Sequence, residues 1–132
     1  MSRATAIVLP VLFAPMVQAD TLRPVPDYFA EAIFASTMAG SLAEFCPSVR
    51  VDADAVAKRR EELILRLESD GFDRENAMEQ MQDPTGQVHS LQSAFLEKYA
   101  LEEATEAQVC TAALSEIGNR TLMGSLLVEV QS

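Results

Sequence analysis

The sequence predicts an all-α fold: a compact bundle of five to six short helices stapled by one disulfide, preceded by an N-terminal signal peptide. Three observations predict it. Apolar residues recur at helical spacing between repeated capping signals. No sustained apolar–polar alternation of a strand appears, with only Leu126-Leu127-Val128 able to pass for one. Two cysteines, Cys46 and Cys110, stand far apart in a chain whose first residues carry an export signature.

That signature is Met1-Ser2-Arg3, a charge-free stretch from Ala4 to Val17, and Val17-Gln18-Ala19 before Asp20. A positive start, an apolar middle and a small-residue junction read as a signal peptide over 1–19, cleaved after Ala19. The apolar run is shorter than the ~20 residues a membrane span needs and contains Pro10 and Pro15. Residues 20–132 then form a single helical domain. An even cysteine pair in an oxidising compartment reads as one disulfide. Closing a loop of about 65 residues removes unfolded-state entropy worth roughly 4 kcal/mol. The other reading, a reactive dithiol, lacks Cys-x-x-Cys spacing.

Element by element, Asp20 to Val25 has no periodicity and reads as an extended lead-in. Pro26 or Asp27 starts the first helix, and Pro47 stops it just after Cys46. No charge lies between Glu31 and Glu44, and Phe29, Phe34, Met38 and Phe45 cover more than one face. Such a helix is expected at the centre of the bundle. Asp52 caps a second helix that ends before Gly71; Val56, Leu63 and Leu67 form its stripe, with Glu62 and Arg66 in favourable i, i+4 order. Asp73 caps a short third helix through Glu75, Met78 and Met81. Asp83 caps a fourth with Pro84 at its first position, carrying Val88, Leu91, Phe95 and Tyr99. Thr105 and Gln108 have capping-box spacing for a fifth helix that runs to Gly118. Leu122, Met123, Leu126, Leu127 and Val130 read as a last helical segment.

Few residues point to chemistry. The formal net charge is −10, which repels phosphate backbones and anionic headgroups and argues against nucleic-acid binding and electrostatic membrane attachment. The lone His89 has no partner at ligand spacing, and Asp52-Ala53-Asp54 and Asp70-Gly71-Phe72-Asp73 lack the calcium-loop pattern and read as caps. No nucleophile motif or glycine-rich loop is present, so no cofactor and no metal is expected. Arg60 interrupts the stripe of the second helix; its stem covers apolar surface, or its guanidinium pairs with a carboxylate or a bound anion.

Cys46-Pro47-Ser48 closing a first helix, Gly71-Phe72 between helices, Cys110 in a late helix and the Gly124-Ser125-Leu126-Leu127 ending, together with the signal peptide, carry a resemblance. In these the chain resembles small exported alphaproteobacterial proteins grouped as domain-of-unknown-function family 5333. The resemblance implies a periplasmic location and a helical fold, with no activity to carry over. The expectation is a non-enzymatic periplasmic accessory or scaffold that binds another periplasmic or membrane-complex protein, with Arg60, Phe34 and Met38 as contact residues. The alternative is a carrier with an apolar cavity between helices and Arg60 at its mouth. An enzyme would require Glu31 or Glu44 to converge on Arg60.

Overall fold

The structure is a computed structural model and describes residues 21–131; the expected signal segment, residues 1–19, lies outside the described residues. Four α-helices carry the fold: α1 (Asp27–Phe45), α2 (Ala53–Ser69), α3 (Thr85–Lys98) and α4 (Glu106–Gly118). Two three-residue strands, β1 (Val49–Val51) and β2 (Leu127–Glu129), pair antiparallel with Val49 opposite Glu129 and Val51 opposite Leu127. Short 3-10 turns occupy Ala77–Gln80 and Gly124–Leu126.

Helix α1 is central, as its charge-free sequence predicts. Its second half buries Ala35, Met38, Ala39 and Leu42 in a cluster with Val49, Phe95, Ala112, Ala113, Met123, Leu126 and Leu127. Its first turns bury Phe29 and Ala30 in another, with Val25, Leu67, Phe72, Ala77 and Met81. One helix therefore threads two clusters. Alanines at the contact let neighbouring backbones approach closely, and Cys46, at the end of α1, is bonded to Cys110 in α4 with Cα atoms 5.1 Å apart. The expected disulfide and the packing of the first helix against the late cysteine helix are both present.

The predicted caps hold at Asp52 and Thr105, while α3 begins one residue later than expected, with Pro84 at the cap and Asp83 just ahead of it. The Asp52 carboxylate accepts from the N–H groups of Asp54 and Ala55 at 3.1 and 3.2 Å, and Thr105 and Gln108 complete their reciprocal pair. Asp83 accepts from the Thr85 N–H at 2.9 Å and from its hydroxyl at 2.6 Å. Both bonds favour the carboxylate and hold its pKa below the usual value. Three helices close with the same two-bond arrangement, in which a residue in the left-handed region follows the cap. Gly71 (φ 89°) does this after α2, Ala100 (φ 53°) after α3 and Arg120 (φ 53°) after α4. The Phe72, Leu101 and Thr121 N–H groups reach back to the carbonyls of Leu67, Leu96 and Glu116.

Two predicted helices are not formed, so the bundle has four helices rather than five to six. Asp73 accepts from the Glu75 N–H as a cap does, but the chain goes on only as the 3-10 turn Ala77–Gln80, whose own cap residue Asn76 makes no side-chain bond to it, and Gln80 Oε1 folds back to accept from the Asp73 N–H at 2.7 Å. The segment is then drawn straight, because the Arg23 N–H donates to the Gln80 carbonyl and the Gln82 N–H to the Arg23 carbonyl. The predicted last helix is a 3-10 turn followed by β2. Its cause is backbone pairing with Val49-Arg50-Val51, whose buried–exposed–half-buried order has the two-residue period of a strand.

Gly124 sits where no side chain fits. A β-carbon there would lie 2.0 Å from the Glu116 carbonyl oxygen and 2.7 Å from the Ile117 nitrogen. The turn thus lies directly on the backbone of α4. Beside it, Glu116 is 5 % exposed and its carboxylate is satisfied by the Tyr99 hydroxyl at 3.1 Å and Lys98 Nζ at 3.9 Å, as a buried carboxylate requires.

Candidate functional site

Helices α1 and α2 run antiparallel without closing on each other along their length. Between them lies an open groove of about 490 Å³. Ile33, Val56, Leu63, Leu122 and Leu126 give it an apolar floor; Arg59, Arg60 and Arg66 line it from α2, and Glu31, Ser36 and Thr37 from α1. The groove exists because α2 buries only Leu67 fully. Its single apolar stripe reaches the core at one end and leaves Val56 and Leu63 half-covered.

The far end of the groove is held by a stack of aromatic and guanidinium groups. Arg66 lies over the Tyr28 ring at 3.9 Å and Arg23 over the Phe72 ring at 3.8 Å. The Tyr28 hydroxyl donates to the Asp70 carboxylate, and Arg23 donates to the Asp70 carbonyl at 2.7 Å. Desolvation, the hydrogen bond to Asp70 and its negative charge push the Tyr28 pKa up to about 12. These contacts fix the lead-in against the end of α2. The predicted Glu62–Arg66 pair is replaced: Glu62 pairs with Arg59 at 3.1 Å, leaving Arg66 to Tyr28.

Of the residues singled out in the sequence, Arg60 lies at the groove, exposed, and makes no side-chain hydrogen bond or ion pair among the described residues. Phe34 and Met38 are elsewhere. Met38 is 7 % exposed in the core, and the half-buried Phe34 packs edge-on against Phe95 with ring centroids 5.8 Å apart. Neither is presented as a contact surface, and Phe29 is equally internal. Phe45, at 61 % exposure, is the aromatic residue of α1 that remains outside. Glu31 shares the groove with Arg60, whereas Glu44 does not line it. His89 is exposed on α3. Among the described residues no group of three or more His, Cys, Asp or Glu side chains could hold a metal, and no helix is long and apolar enough to cross a membrane. The sequence reading missed Tyr28 and Arg59 as groove residues, although Arg59 stands four residues before Leu63, the spacing of one helical face.

Fold and site together define a mostly helical, disulfide-stapled protein with one long groove between its first two helices. Residues 21–128 match a family model described as a family of unknown function (DUF5333), and the chain belongs to that family. No curated protein and no solved structure matches it.

Proposed function

We propose that this chain is a non-enzymatic binding protein of the periplasm, an accessory or scaffold for another periplasmic or membrane-complex protein. The groove carries this reading. Helices that bury two clusters elsewhere leave Ile33, Val56, Leu63 and Leu122 incompletely covered along one line, which is the appearance of a helix packing site lacking its third helix. The export signature of residues 1–19 and the Cys46–Cys110 bond support the location.

A second reading, a carrier of a small apolar ligand, is favoured by Arg60, a guanidinium without a partner among the described residues beside an apolar floor. Pockets for such ligands have volumes of roughly 300 to 1,000 Å³, and the groove falls in that range. They also enclose most of the ligand, whereas this groove is open, and that favours the protein partner. Crosslinking in periplasm and membrane extract, quantified for the wild type and for Leu122→Glu and Thr37→Trp, tests the choice. Both substitutions fall on the groove lining, outside the two buried clusters. A partner captured by the wild type and lost from both variants is the expected result. Capture that is indifferent to both variants, or a tightly held small molecule seen by native mass spectrometry of protein from its host, would overturn it.

A further inference from the structure

We infer that the groove between α1 and α2 receives an amphipathic α-helix of the partner, and that the polar flank of this helix is acidic. This rests on the binding reading above and adds the chemistry of what is bound. The walls run from Tyr28 to Thr37 on α1 and from Val56 to Arg66 on α2. At 1.5 Å per residue each wall is about 15 Å long, or nearly three helical turns. That length accommodates apolar anchors at i, i+3 or i+4, and i+7, the pattern by which a helix is held in a groove. The floor provides for them in Ile33, Leu63 and Val56, with Leu122 and Leu126. Being open along its length, the groove leaves the outer face of such a helix in water, where a polar flank belongs.

The sign of that flank follows from charge. Three of the ten Lys and Arg residues of the chain line this groove, against two of its twenty Asp and Glu. The groove lining thus carries one net positive charge on an acidic protein. Glu62 is occupied by Arg59 at 3.1 Å, and Arg60, though it shares the groove with Glu31, makes no ion pair among the described residues. A helix with Glu or Asp beside its apolar stripe gains a partner for Arg60; one with Lys there meets like charge, which an interface strongly disfavours. The rest of the acidic surface repels such a partner anywhere but here, giving specificity of place as well as of sign.

The test uses the purified chain and two synthetic amphipathic helices, one of Leu, Ala and Glu and a twin in which every Glu is Lys, followed by fluorescence anisotropy. The Glu peptide is expected to bind tighter by about tenfold or more, which corresponds to about 1.4 kcal/mol. Added salt should erode the difference. Arg59→Glu with Arg60→Glu should invert the order of the two peptides, and Thr37→Trp should abolish binding of both, each variant first shown to melt like the wild type. Equal affinity for the twins, binding of neither, or dodecanoate binding where neither peptide does, would overturn the inference. If crosslinking still finds a partner that Thr37→Trp removes, the binding reading survives and the acidic helix alone falls; if no partner is found, both fall.

Discussion

Replacing Gly124 with alanine should be the most damaging single-methyl change in this protein. The added carbon would meet the Glu116 carbonyl oxygen at 2.0 Å and its carbon at 2.4 Å, whereas unstrained carbon contacts lie near 3.5 to 4.0 Å. The 3-10 turn must then retreat from α4 by more than about 1 Å, and the obstacle is helix backbone, which cannot rotate away as a side chain can. Retreat loosens Met123 and Leu126 in the core cluster and strains the bond from the Gly124 N–H to the Thr121 hydroxyl, 3.0 Å long. Overpacking costs typically 1–3 kcal/mol, and with backbone as the obstacle we expect about 3 kcal/mol. Urea unfolding followed by helical circular dichroism measures it. Gly40→Ala is the control, since nothing lies within 4 Å of its added carbon and the change in a helix interior should stabilise by roughly 0.5 to 1 kcal/mol. A Gly124→Ala protein within about 0.5 kcal/mol of wild type, the range of an innocuous surface change, would refute the close-approach reasoning.

Other outcomes follow from the same structure. Reducing the Cys46–Cys110 bond, or Cys110→Ala, should lower stability by roughly 2–5 kcal/mol, read as the shift in urea midpoint; two freely alkylated thiols in protein isolated from its host without reductant would contradict the bond itself. Ala100→Gly should stabilise by about 1 kcal/mol, because alanine pays for its left-handed φ of 53° where glycine does not; unchanged thermal melting would count against it. Tyr28 keeps its proton to about pH 12 in the folded protein but only to about 10 when unfolded. Its contribution is therefore complete below pH 10 and is lost as pH rises toward 12. In a Tyr99→Phe background the tyrosinate absorbance should titrate near 12, and a midpoint near 10 would show that the contact with Asp70 does not form.

Much of the fold was legible because local chemistry and tertiary need agree. Asp52, Asp83 and Thr105 are oxygen-bearing side chains just ahead of apolar stripes, and each accepts the bonds expected of it. Gly71 marks a helix end through its own φ. The failures occur where partners are distant in sequence. Val49-Arg50-Val51 becomes a strand only because residues 127–129 arrive beside it, and Asp73 to Met81 stays unwound partly because Arg23 claims its backbone. The site divides likewise. Arg60 was visible as a charge breaking an apolar stripe, and it does mark the groove. Phe34 and Met38 were not assignable, since a helix apolar around its circumference gives no sign of which side meets its own protein.

The disulfide closes a covalent ring of chain from Cys46 to Cys110, and the segments outside it are fastened to it at separate places. Arg23 is hydrogen-bonded across the loop at Gln80 and Gln82, and β2 is paired with β1. Both fastenings are noncovalent: Arg23 adds a guanidinium bond to the Asp70 carbonyl and a stack on Phe72, and Leu127 of β2 is buried in the core cluster. Opening of either is thus a local event that leaves the ring intact, with a free energy below that of global unfolding. Both cysteines precede Leu127–Glu129 in the chain, so the ring is complete without the residues that finish the strand pair. The C-terminal strand is in that sense a latch set on an already closed loop, and hydrogen exchange should find its amides among the first to exchange, ahead of those in α1 and α4.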